Sequence, residues 1–251
     1  MSKVILLTGA SRGIGLSIAH YLLKQSHKVT LVARTETPLR ELEQQYPNQT
    51  AILTGDLADL SLGQKAIDLT VQQFGQLDGV IVNHGVLDPV KRVVDSTAEE
   101  WRDAYNINFF SAVAIAKAAI PHLRKSSTGT IIFTSSGAAS NSYPTWGAYG
   151  SSKAALNHLA SSIANEEKDV VAIAVRPGVV DTEMQRDIRE KHHEVMDEGD
   201  RVRFAELKSS GGLLRPEQPG HVMAKLVLEG KRELSGQFLS WNAEELKAFQ
   251  E

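Results

Sequence analysis

Short apolar runs and longer runs of helical period alternate along this chain from one end to the other. The apolar runs are Val4–Leu7, Val29–Ala33, Ala51–Thr54, Leu77–Val82, Gly129–Thr134, Val170–Val175 and Gly236–Trp241. Each has strand length, and several are continuously apolar, as expected of a strand covered on both faces. Between them the apolar residues fall at three- and four-residue steps: Ile18, Ala19, Leu22 and Leu23, then Ala66, Ile67, Leu69 and Val71, then Leu156, Leu159, Ala160 and Ile163. Further helices are expected over Pro38–Gln45, over about Ser61–Phe74, onward from Ala98 and over Pro216–Glu229. An alternation of this kind predicts a parallel α/β sheet of about seven strands, doubly wound, with helices on both faces. No repeat, linker or composition break interrupts it, so residues 1–251 are expected to form one domain.

Within that frame, Thr8-Gly9-Ala10-Ser11-Arg12-Gly13-Ile14-Gly15 lies between the first strand and the first helix. Glycines there let the backbone approach a pyrophosphate, and the helix N-terminus offers amide donors. The second strand ends in Ala33-Arg34, where an acid would hold a free ribose 2′-hydroxyl. Arg12 and Arg34 instead suit a 2′-phosphate, or are two solvated surface arginines. Asp56, after the third strand, is an adenine contact, a helix N-cap, or both.

Tyr149 and Lys153 stand one helical turn apart on one face. An ammonium beside a phenol favours phenolate, so the tyrosine is expected to titrate below its ordinary range and to exchange a proton with a substrate oxygen. Ser136, at the mouth of the preceding strand, could hold the same oxygen. A Tyr-x-x-x-Lys pair also arises by chance, and a tyrosine near a helix start is often only an anchor. Asn106 and Asn108 are unusual within an alanine-rich helix unless an amide holds a partner. Residues 183–212 are highly charged but keep Met184, Ile188, Met196, Phe204 and Leu207. That suits one or two amphipathic helices forming a substrate lid hinged at Gly211-Gly212, or a surface helix burying its stripe on the core.

Composition narrows the chemistry further. The 251 residues carry a net charge of −3 and no cysteine, which excludes thiol catalysis and gives no sign of a nucleic-acid or membrane-surface partner. No apolar run reaches membrane-span length and the N-terminus lacks a signal pattern, so a soluble, cytoplasmic protein is expected. His192-His193-Glu194 lacks metal-ligand spacing, and His158 reads as structural.

Taken jointly, Thr8-Gly-x-x-x-Gly13-x-Gly15, Asn83-His84-Gly85, Asn108, Ser136, Tyr149-x-x-x-Lys153 and Pro177-Gly178 resemble the short-chain dehydrogenase/reductase family over nearly the whole chain. Asn106–Ser111, Trp146–His158 and Pro177–Gln185 are similar to a narrower group, the benzil reductases ((S)-benzoin forming), related to sepiapterin reductases. The resemblance implies an NADPH-dependent reductase of small-molecule ketones or diketones. It implies Tyr149 as proton donor, Ser136 as the carbonyl's partner, Lys153 on the nicotinamide ribose and Asn108 holding a relay water. It also implies NADP(H) contacts from Gly9, Ser11, Arg12, Gly13, Ile14, Gly15, Arg34, Asp56, Leu57, Asn83, Gly85, Tyr149, Lys153, Pro177, Gly178, Val180 and Thr182. A homodimer or homotetramer paired through the helices bearing Asn108 and Tyr149 is expected on the same ground. His84 departs from the pattern, because the family usually has alanine there.

Overall fold

Side chains that alternate between two apolar layers organise the molecule. The computed structural model describes residues 2–250. Seven parallel strands, β1 (Val4–Thr8), β2 (Lys28–Ala33), β3 (Thr50–Thr54), β4 (Gly79–Val82), β5 (Thr130–Thr134), β6 (Val171–Arg176) and β7 (Phe238–Ser240), form one sheet in the order β3-β2-β1-β4-β5-β6-β7. On β1, Ile5 and Leu7 enter one layer and Leu6 the other; on β6, Val171, Ile173 and Val175 oppose Ala172 and Ala174. Both faces of the central strands are therefore buried, which explains why these runs read as unbroken apolar stretches, while the edge strands β3 and β7 are only partly covered.

One layer is closed by α1 (Gly13–Lys24), α2 (Thr37–Gln45) and α9 (Glu217–Glu229). The other is closed by α3 (Ser61–Phe74), α5 (Ser111–Leu123) and α6 (Gly147–Glu166). Before α5 comes α4 (Ala98–Tyr105), begun by a reciprocal cap. The Thr97 hydroxyl accepts from the Glu100 amide at 3.2 Å, and the Glu100 carboxylate accepts from the Thr97 amide at 2.9 Å.

The single helix expected onward from Ala98 is broken by one wide π turn at Asn106–Phe110. The cause is polar. The Asn108 side chain, 1% exposed, donates to the Val86 carbonyl at 2.9 Å and to Ser152 Oγ at 3.1 Å, and accepts from the Val86 amide at 2.8 Å. Asp56 caps no helix: it accepts from the Ala58 amide at 2.9 Å, while Asp59 takes the Ser61 amide at the start of α3. The charged segment after β6 forms two helices, α7 (Glu183–Glu190) and α8 (Glu198–Ser209). Its base is pinned, because the Asp181 amide donates to the Leu214 carbonyl at 2.8 Å and the Leu214 amide to Val179 at 2.9 Å. Among the described residues no helix is long and apolar enough to cross a membrane.

Candidate active site

The strand order reverses between β1 and β4, so the loops at their carboxyl ends diverge and leave a crevice. A cavity of about 490 Å³ opens there. The glycine turn forms its floor. Gly13 has φ +53°, a backbone state that favours glycine, and a Cβ on it would meet the Thr182 methyl at 3.1 Å. Of the residues expected to hold a cofactor, Gly9, Ser11, Arg12, Gly13, Ile14, Arg34, Asp56, Leu57, Asn83, Gly85, Tyr149, Lys153, Pro177, Gly178, Val180 and Thr182 all line this cavity.

Two expected residues do not. A Cβ on Gly15 would collide with the Gly9 carbonyl, so this glycine lets α1 close on the turn instead of facing the cavity. Asn108 lies behind the wall through the contacts described above, and its neighbour Ile107 lines the cavity in its place. An extended, glycine-rich cradle at a helix N-terminus fits a dinucleotide. Arg34 has no carboxylate partner among the described residues, whereas Arg12 is ion-paired with Glu183 at the start of α7.

At the cavity's centre, β5 and α6 bring Ser136, Tyr149 and Lys153 together. Ser135 and Ser136 are adjacent but separate in role. Ser135 Oγ donates to Asn157 at 2.6 Å, into α6, while Ser136 Oγ accepts from the Ala138 amide at 3.1 Å and acts on the Tyr149 phenol. Lys153 Nζ donates to the Thr134 carbonyl at 2.9 Å and lies 5.8 Å from the Tyr149 ring centre.

The expected fall in the tyrosine's pKa is not what this protein shows. Burial pushes the Tyr149 phenol above its ordinary value, against Ser136, which lowers it. Loss of hydration governs, and the ammonium gives its hydrogen bond to the Thr134 carbonyl. The same burial brings Lys153 down to about 8.

His84 occupies a place the sequence marked only as a departure. Its Nδ1 stands 2.7 Å from Thr8 Oγ1, and its Nε2 stands 2.7 Å from Ser111 Oγ and 3.0 Å from the Ile107 carbonyl. Burial, with Lys153 nearby, pushes it down to about 3, so the ring is neutral. Ser111 Oγ already donates to Ile107 at 2.6 Å, so a proton on Nε2 and a bare Nδ1 satisfy every partner. The ring thereby ties the end of β1 to the π turn.

The far side of the cavity is aromatic. Trp146 stacks on Phe204 at 5.7 Å and 16°, meets Tyr149 edge-on at 6.1 Å, and packs on Tyr143 at 4.9 Å. Of the five apolar lid positions, Met184, Ile188 and Phe204 line the cavity, but Met196 and Leu207 pack behind it. Val86, Leu87, Trp146 and Arg176 also line the cavity, where the sequence pattern placed none of them. Trp146 alone carried a signal, three residues before Tyr149 at a helix start.

Comparison with known proteins follows the same lines. A family model described as short chain dehydrogenase matches residues 3–193. A benzil reductase ((S)-benzoin forming) of Saccharomyces cerevisiae is 41% identical over 258 residues, covering 98% of this chain and 98% of its own. A crystal structure of a short-chain dehydrogenase/reductase from the same yeast superposes with a TM-score of 0.97 at 41% identity, over 100% of both chains. A short-chain dehydrogenase of Shigella flexneri complexed with NADP gives a TM-score of 0.80 at 25% identity, over 96% of this chain and 97% of its own. Matches of that breadth, on a chain folded this way, make it a member of the short-chain dehydrogenase family.

Proposed function

We propose that the protein is an NADPH-dependent carbonyl reductase acting on ketones or diketones of aryl type. The observation that carries this reading is the buried Tyr149 phenol, held between Ser136 and Lys153 at the centre of a cradle suited to a dinucleotide. The relative named as a benzil reductase supports the substrate class, and the NADP-bound neighbour supports the cofactor.

When bound, the nicotinamide supplies the reducing equivalent. Gly9, Ser11, Gly13 and Ile14 would cradle its pyrophosphate, while Arg34, with Ala33 in place of an acid, would receive a 2′-phosphate. Ser136 Oγ and the Tyr149 hydroxyl hold the substrate's carbonyl oxygen, and Tyr149 gives that oxygen its proton. A phenol kept protonated by burial is the correct form for an acid. Lys153, protonated below about pH 8, offers a positive charge that stabilises the tyrosinate left behind. Asn108, fixed by Val86 and Ser152, shapes the π turn whose Ile107 lines the cavity wall. Trp146 and Phe204 give an aryl substrate a flat apolar slot and exclude water.

The test is NADPH oxidation with benzil, with the configuration of the benzoin product determined by chiral chromatography. Steady turnover to a single enantiomer is expected. Saturable NADPH binding without turnover on benzil or other aryl ketones would make the protein a nucleotide-binding sensor instead.

A further inference from the structure

The first turns of α7 present Glu183, Met184, Gln185 and Ile188 to the cavity. Met184 and Ile188 pack in the same apolar cluster as Tyr149, Trp146 and Phe204, and Glu183 is held in ion pairs with Arg12 and Arg186. Gln185 is only 4% exposed, so its amide must find its partners inside the protein or in the cavity. Arg189 Nη1 donates to Gln185 Oε1 at 2.6 Å. A guanidinium has donors only, so the amide oxygen must face Arg189 and the nitrogen must point the other way. Among the described residues nothing accepts from that nitrogen, and the protein does not seal it off. Its N–H groups therefore open on the cavity that the residue lines.

We infer that Gln185 is a specificity-determining donor that recognises a second oxygen acceptor on the substrate, the carbonyl of a vicinal aryl diketone that is not being reduced. This rests on the carbonyl reductase reading, which puts the reacting oxygen at Ser136 and Tyr149. Met184 and Ile188 share an apolar cluster with Tyr149, so Gln185 borders the reacting centre, and the two oxygens of a vicinal diketone sit on adjacent carbons. A monoketone of the same shape excludes water from the amide and offers no acceptor in return, which leaves buried N–H groups unpaired among apolar neighbours. A diketone pairs with them. A site with a built donor selects most strongly against the compound that lacks the matching group. The bond from Arg189 holds the amide in the orientation that does this.

The experiment compares benzil with deoxybenzoin, in which a methylene replaces the second carbonyl. The kcat/KM with NADPH is measured for both compounds in the wild type, Gln185→Met and Gln185→Glu. The greater intrinsic reactivity of a diketone is the same for each protein and cancels when benzil-to-deoxybenzoin ratios are compared. Gln185→Met keeps the length and loses the donor, and should lower the ratio at least about fivefold, the lower end for a donor left unpaired. Gln185→Glu keeps the shape and the bond to Arg189 but turns an acceptor toward the diketone oxygen, so it should lower the ratio at least as far. NADPH affinity, measured by nucleotide fluorescence, should stay near the wild-type value in both. Because each ratio is taken within one protein, a general loss of stability does not imitate the effect. A ratio unchanged in both variants overturns the inference, as does weaker NADPH binding with an unchanged ratio, which would place the amide on the cofactor. In either case reduction of benzil leaves the carbonyl reductase reading standing, whereas a wild type that reduces neither compound removes both.

Discussion

His84 shows what one residue can change within a familiar pattern. Its folded-state value of about 3 lies below the ordinary value of 6.5, so the unfolded chain binds its proton first as pH falls. The stability it contributes is therefore complete above about pH 6.5 and is lost progressively from there toward pH 3. At pH 5 the loss is about 2 kcal/mol relative to neutral pH. His84→Ala should flatten this part of the stability–pH curve measured by urea unfolding between pH 7.5 and 5, while lowering stability at neutral pH by leaving a cavity. Equal acid sensitivity in both proteins would contradict a buried neutral ring. The sequence named His84 as a departure but could not supply its partners, because Thr8, Ile107 and Ser111 come from three separate parts of the chain. The same limit explains Tyr149. Spacing placed Lys153 on its face, yet the direction of the phenol's shift is set by burial, which spacing does not give.

Among the elements, the glycine turn and its helix were legible because a strand, a turn and a helix impose local rules on glycine. The ion pair between Arg12 and Glu183 was not, since it joins residues far apart in sequence. It gives the two arginines different expected behaviour. Arg34→Ala should raise KM for NADPH about tenfold and leave NADH nearly unchanged, the size of one charge-assisted contact. Glu183→Gln should lower KM for NADPH by freeing Arg12, again without effect on NADH. Unchanged NADPH/NADH ratios in both variants would make these ordinary surface charges. The lid poses a related question at Phe204, which is 3% exposed yet lines the cavity. Phe204→Ala should cost up to about 3–5 kcal/mol if fully core-like. As part of the slot it should also shift the kcat/KM ranking of bulky against small aryl ketones by at least about fivefold. A fall in melting temperature with a fixed ranking would assign it to the core alone.

At the scale of the whole molecule, the sheet was readable from the chain because its central strands are buried on both faces, and strand limits shifted by only one or two residues. The break at Asn106–Phe110 was not readable from period, since apolar positions continue through it; only the two asparagines hinted at it. Topology then turns these local features into a site, because the reversal between β1 and β4 sets the glycine turn, the β5 end and the lid around one cavity. The claim that depends on all of them is that Tyr149 supplies the proton in carbonyl reduction. Its most direct test is Tyr149→Phe, with NADPH affinity measured by nucleotide fluorescence and turnover measured with benzil on the same preparation. An acid of this kind is worth at least about 100-fold. NADPH affinity within about threefold of wild type, with turnover reduced at least 100-fold, is the expected result, whereas turnover above about a tenth of wild type with intact NADPH binding would show that another group supplies the proton.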